Sequence, residues 1–303
     1  MDTTLQEAPN PRDFFATKHA SRILFRSWVN RLLTFFCCFF AFLALIPLFS
    51  IIFLVLKKGL PLVSWKLFTE LPPAAGLTGG GFGNAVQGTL IMVGIALAIA
   101  IPFGVLSAIY INEYEPYARL SNTVRFVAKL LTGIPSIIAG VFAYSVVVLI
   151  LGNFSAFAGG VALGILIIPT ILLTAEQALL GVLSAYREAS YGLGATKFQT
   201  IFRVVLPEAL PAIMTGVMLA VARAAGETAP VLFTALFSQY WLKFEGPQSL
   251  IDQPVASLSV LIYNFSTVPY DYQVQLAWTA SLVLVVLVTI ANVVGQLVFR
   301  KKN

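Results

Sequence analysis

The chain has 303 residues, 58% hydrophobic and only 11% charged, with a formal net charge of +6 and a mean hydropathy of +0.88. A soluble domain carries about 25% charged residues, so there is too little polar side chain here to cover a water-soluble globule. The positive balance does not indicate nucleic acid as a partner, because that reading needs a contiguous basic surface and these cations are scattered between apolar runs.

An α-helical span needs about 20 mostly apolar residues, and six stretches reach that length, roughly 32–56, 84–112, 126–151, 157–178, 209–238 and 274–299. The expected fold is an all-α membrane protein with six transmembrane helices occupying 32–299, between an N-terminal tail, 1–31, and a C-terminal tail, 300–303. If both tails lie on one side, that side holds thirteen lysines and arginines and the other four, Lys57, Lys58, Lys66 and Lys243. This bias puts both termini in the cytoplasm, with Lys57 and Lys58 as a local dissent.

The tail shows no signal-peptide cleavage pattern before the first span and is expected to end in an amphipathic segment. It carries the only histidine, His19, so a histidine-based metal cluster is not available. Cys37 and Cys38 are adjacent in the first span, where a helix points them about 100° apart, and both are expected to be reduced. The outward loop ends in a Gly-rich stretch, Gly79-Gly80-Gly81-Phe82-Gly83. It lacks the Gly-Lys-Ser/Thr ending of a P-loop and the spacing of a dinucleotide fingerprint, so tight-turn packing is the better reading than an anion cradle. The chain holds no complete nucleotide-binding motif, so ATP-driven transport would need an ATPase on another polypeptide.

Prolines and small residues punctuate the later spans, among them Pro102, Gly133 with Pro135, Gly140, Pro169, Pro211 and Pro230. Each proline frees a carbonyl that a membrane tolerates only when a neighbouring group resatisfies it. Glu176, near the inner end of the fourth span, is expected to snorkel toward the interface, with bracing of the following loop as the alternative. That loop, about 179–208, is long and amphipathic, so short helices lying against a partner are expected. Gly192 and Gly194 suit a turn between them, and Pro207 precedes the return to the membrane.

Arg223 and Glu227 stand near the middle of the fifth apolar run, with Thr228 beside them. Four residues apart, they neutralise each other in part if the run is helical. An arginine near a bilayer centre still costs about 2.5–3.5 kcal/mol on lenient scales, which makes the pair a candidate site for an ion or charged solute. A pair that only locks two helices is the alternative.

The pattern Glu-Ala-Ala, three residues, Gly, nine residues, Ile-x-Leu-Pro resembles the cytoplasmic loop of permease subunits in bacterial binding-protein-dependent ABC importers. Glu188, Ala189, Gly194, Leu206 and Pro207 fall on its register, with Ser190 for the second Ala and Val204 for Ile. The string Arg223-Ala224-Ala225-Gly226-Glu227-Thr228-Ala229-Pro230, with Gly133-Ile134-Pro135-Ser136 and Ile262-Tyr263-Asn264-Phe265, is similar to the phosphate-specific permeases of the A type. The resemblance implies a MetI-like importer-permease bundle in a bacterial inner membrane, with a coupling helix in the 179–208 loop that docks on an ATPase. It implies further partners: a second, homologous permease making a heterodimer, an ATPase dimer, and an extracytoplasmic phosphate-binding protein, besides membrane lipid. It implies no cofactor in this chain, Mg-ATP being bound by the partner ATPase, and no enzymatic activity of its own.

The chemistry fits independently. Phosphate is an anion whose oxygens a guanidinium binds bidentately while staying charged, so Arg223 is the expected transient contact. Conduction also requires release, and Glu227 would compensate Arg223 in the empty state. Another oxyanion, such as sulfate, molybdate or phosphonate, remains open as substrate, as does a self-contained anion channel or secondary transporter. The outward stretch 239–273, with Lys243, Glu245, Asp252 and Asp271, is a candidate surface for a binding protein or an outer gate.

Overall fold

In this computed structural model the described residues are 11–243, 246 and 248–299, those before Arg26 by their backbone alone. Tail residues 1–10, the C-terminal 300–303 and Glu245 lie outside them. The chain divides into two units, Met1–Leu54 and Val55–Asn303. The first is the long start of helix α1, Pro11–Gly59, which shows no interruption at the expected tail boundary and runs through Pro47. Phenylalanines one turn apart stack along it, Phe35 on Phe39 and Phe36 on Phe40, with centroids 6.4 and 6.3 Å apart. Cys37 and Cys38 are free thiols.

The second unit contains α2 (Gly83–Tyr114), α3 (Arg119–Thr132), α4 (Ser136–Leu151), α5 (Ala156–Leu180), α6 (Ser184–Gly192), α7 (Lys197–Gly226), α8 (Ala229–Thr234), α9 (Leu258–Ser266) and α10 (Asp271–Val298). No strand occurs among the described residues. α1, α2, α5, α7 and α10 are each long and apolar enough to cross a membrane.

The expected third span, 126–151, is not one helix. α3 and α4 are bent by 106° at Gly133–Pro135, because the pyrrolidine ring of Pro135 excludes Ile134 from the helical region. The prolines inside α2, α5 and α7 interrupt nothing comparable: Pro102, Pro169 and Pro211 all lie within continuous helix. Hydroxyls in these apolar helices bond back to the carbonyl one turn earlier, Thr89 to Ala85, Thr174 to Thr170, Thr215 to Pro211 and Thr234 to Pro230. A polar group in hydrocarbon is thus satisfied within its own helix.

α5 is the hub. Its face of Gly159, Gly160 and Gly164 admits Met92, Ile95 and Ala96 of α2, while Thr174 fits over Gly216 of α7. Met218 of α7 in turn sits over Gly295 of α10. Without a hydrophobic drive between helices in lipid, close van der Waals approach through small residues is what associates them, and the buried residues are correspondingly rich in alanine: Ala96, Ala100, Ala162, Ala175, Ala220 and Ala224. A second cluster gathers Leu67 and Phe82 of the loop before α2 with Leu258, Leu261 and Leu276 of α9 and α10.

Gly140 of α4 packs on α8 so closely that an added Cβ would lie 2.6 Å from the Pro230 Cα. Gly140→Ala is expected to cost about 1–3 kcal/mol of stability by overpacking, seen as a lower unfolding midpoint in detergent. Gly94→Ala is the control: with open space around it, it should leave the midpoint unchanged or raise it.

Candidate functional site

The run carrying Arg223 and Glu227 is not a single helix over 209–238. α7 stops at Gly226, Glu227 is extended with φ −72° and ψ 127°, and α8 restarts at Ala229 with Pro230 in its first turn. Arg223 therefore occupies the last turn of α7, where a cation complements the exposed carbonyls, and Glu227 is its C-cap. Arg223 Nε lies 3.4 Å from Glu227 Oε1, the two side chains being 34% and 17% exposed. This is the only hydrogen bond of the guanidinium among the described residues, so most of its five N–H groups are free for an anion.

The break is supported from a distant element. Ser259 Oγ donates to the Glu227 carbonyl at 2.8 Å. Ser257, whose hydroxyl lies 3.1 Å from that of Ser259, caps α9 by accepting from the Val260 N–H. The Thr228 carbonyl accepts from Leu232 N–H at 3.0 Å; Thr228 itself is half-buried beside the pair. An interrupted backbone whose groups are resatisfied by neighbours is the form that membrane proteins tolerate next to a polar pathway.

The loop after α5 has the expected short helices. Glu188 and Ala189 are exposed on α6. Ser190 is buried and its hydroxyl lies 2.9 Å from that of Thr200, tying α6 to the first turn of α7. Gly194 has φ +82°, the left-handed conformation that favours glycine at the end of a helix. Thr196 and Gln199 then form a capping box. Pro207 does not stand before the return segment as expected: α7 runs unbroken from Lys197, with a π turn at Ile201–Val205 just ahead of Leu206 and Pro207. Leu206 is half-buried and Pro207 exposed. An open groove of about 520 Å³ is bordered by Tyr186, Ala189, Leu193, Gly194, Gln199 and Arg203.

The glycines before α2 offer no anion cradle. The N–H groups of Gly81, Phe82 and Gly83 donate to the carbonyls of Leu71, Leu67 and Glu70, so they are already spent on the turn.

Glu176 does not snorkel. It is 4% exposed and paired with Nε of Arg125. Arg125 donates further to the carbonyls of Ile111 and Pro116, at 2.8 and 2.9 Å. Burial of this carboxylate is tolerable because it is paired and its partner is itself held by further hydrogen bonds. A second, half-buried pair joins Arg187 to Glu113 at 2.6 Å. In sequence, Arg125 and Arg187 read only as inward-facing positive charge. Their partners lie 51 and 74 residues away, a separation with no local signal; a carboxylate inside the apolar α5 was the one available hint.

Residues 100–303 match the family described as binding-protein-dependent transport system inner membrane component. The phosphate transport system permease protein PstA of Haemophilus influenzae is 36% identical over 287 residues, 95% of this chain and 99% of its own. PstA of Yersinia pestis is 35% identical over 253 residues, 84% of each chain. The probable PstA of Methanocaldococcus jannaschii is 33% identical over 247 residues, 81% of this chain and 84% of its own. Among solved structures, the bacterial alginate ABC transporter in complex with its pentasaccharide-bound periplasmic protein has a similar chain, with TM-score 0.60 at 18% identity, covering 93% of this chain and 99% of that one. The inward-facing MetNI methionine ABC transporter gives 0.55 at 24% identity, covering 72% and 92%. These two likenesses concern the fold, which is the expected MetI-like permease bundle.

Replacing Glu176 by leucine leaves the half-buried Arg125 charge without its carboxylate, and replacing Arg125 by methionine strands the buried Glu176. Each single change should cost about 3–5 kcal/mol, while the double change recovers much of the loss. Denaturant or thermal unfolding in detergent of the two singles and the double measures this; additive losses would remove the pairing.

Proposed function

We infer the function from one premise: the chain belongs to the binding-protein-dependent inner-membrane permease family and, within it, to the PstA phosphate permeases. It is a multi-pass membrane protein and the permease subunit of an ATP-driven phosphate importer. The observation that carries the substrate assignment is Arg223, in the final turn of α7 beside a helix break, with its guanidinium hydrogen-bonded, among the described residues, only to Glu227.

Phosphate passing the break exchanges its water for the Arg223 donors, a charge-assisted contact of the strong kind. Glu227, 3.4 Å away, competes with the anion for the same guanidinium and keeps the well shallow enough for release. Thr228 borders the same opening and supplies a hydroxyl that either donates or accepts. Both termini are cytoplasmic in this reading, supported by the thirteen-to-four charge bias.

Coupling uses the α6 segment. Glu188 and Ala189 are exposed there, and Leu193, 90% exposed, presents apolar surface next to the open groove, features of a docking surface for a separate polypeptide. That polypeptide is the ATPase, which binds the Mg-ATP, acting as a dimer beneath this chain and a second, homologous permease. Gly194 and the Ser190–Thr200 bond fix the angle between α6 and α7, and Leu206 and Pro207 carry the motion into the long return helix. An extracytoplasmic phosphate-binding protein delivers the anion on the other face, where the 239–273 stretch lies.

In proteoliposomes holding the complete importer, Arg223→Ala should lower ATP-dependent uptake of labelled phosphate about a hundredfold, the scale of a lost charged contact, with assembly intact. Uptake of labelled sulfate but not phosphate by the parent protein would overturn the substrate. Glu227→Gln should lower KM and the maximal rate together, each by roughly threefold to tenfold, because a deeper well binds sooner and releases later. A raised KM in that variant would remove the compensating role.

A further inference from the structure

We propose that Arg187 is a positioning residue that clasps the coupling helix to the inner end of α2, so that displacement of α6 is passed directly to α2. The inference rests on the transport function assigned above and adds a route by which the ATPase cycle reaches the membrane helices.

Three elements meet at one guanidinium. Arg187 lies on α6, one residue before Glu188. Its Nη2 and Nε donate to the Glu113 carboxylate at 2.6 and 3.3 Å, a two-pronged contact that fixes direction as well as distance. Nη1 donates to the Val182 carbonyl at 2.7 Å and Nη2 also to the Leu179 carbonyl at 2.9 Å, where α5 ends and its carbonyls lack helical partners. The Arg187 and Glu113 side chains are 21% and 8% exposed, so water competes little for the pair.

Glu113 stands in a π turn, Tyr110–Tyr114, that closes α2. Asn112 Nδ2 donates to the same carboxylate at 2.8 Å, which aims it at α6. A π turn widens a helix locally and recurs at functional sites. A second tie runs from the start of α7 to the same turn: Lys197 Nζ lies 5.0 Å from the centre of the Tyr114 ring and donates to the Tyr114 carbonyl at 3.4 Å. On the other flank, Arg125 of α3 takes the Ile111 carbonyl. The π turn is thus gripped from α6, α7 and α3, while Arg187 caps α5. Glu188, exposed beside it, is left free to face the docked partner.

A brace that only holds the fold would change hydrolysis and transport together; a clasp that transmits motion sets their ratio. The test uses the complete importer in proteoliposomes, comparing Glu113→Gln and Arg187→Lys with the parent for phosphate taken up per ATP hydrolysed. Glu113→Gln keeps the shape and leaves the α5 cap of Arg187 in place, and Arg187→Lys keeps the charge but loses the fork. Expected is retained assembly, ATP hydrolysis within about twofold of the parent, and a fall in the uptake ratio of about tenfold, within the usual range of coupling between sites. An unchanged ratio in a coupled parent overturns the clasp alone, as does a proportional loss of both activities or failure of both variants to assemble. A parent complex that hydrolyses ATP without taking up phosphate overturns the assigned function and the clasp with it.

Discussion

A backbone carbonyl released inside hydrocarbon, with no water to receive it, must find a donor within the protein. The bond from Ser259 Oγ to the Glu227 carbonyl answers that requirement at the one place where it matters most. Ending the helix at Gly226 frees the Glu227 carbonyl beside Arg223, and without Ser259 it would lose the donor that receives it. The C-terminal third of the chain is arranged around this: Ser257 caps α9 and sets the neighbouring hydroxyl in place, and Pro230 presses against Gly140 to hold the restarted helix.

The same demand, met differently, shapes the inner end. There the carbonyls at the end of α5 and in the π turn of α2 are taken by two arginines rather than by hydroxyls. A guanidinium serves several acceptors in one plane, so each arginine joins segments that no single helix–helix contact brings together. At the Glu227 break the freed carbonyl is taken by a hydroxyl; at the other end the bonds are charged and link four helices.

Periodic and compositional signals carried the six apolar runs, because twenty apolar residues have few other uses, and the coupling segment, because its glycines and amphipathic length leave local marks. What sequence marks did not convey was the size of a bend or the identity of a distant partner. The length of 126–151 predicted one helix, while the 106° bend followed from where Pro135 falls within it. The 209–238 run counts as one span, with Pro230 marking a break near the charged pair, and the helix does stop there, at Gly226. Glu176 was assigned to the interface because its partner, Arg125, is 51 residues distant, and the spatial neighbour of a buried charge is fixed by topology rather than by spacing.

That topology bears on the order in which the chain enters the membrane. Arg125 emerges from synthesis 51 residues before Glu176, and Glu113 emerges 74 residues before Arg187. Each early member must wait, charged, for a partner not yet made. Glu113 waits at the end of α2 and Arg125 midway along α3, on the side that the charge bias would assign to the cytoplasm, where water would hold them meanwhile. The clasp on the π turn of α2 is therefore completed only after α6 has been made, although its carboxylate emerges 74 residues earlier.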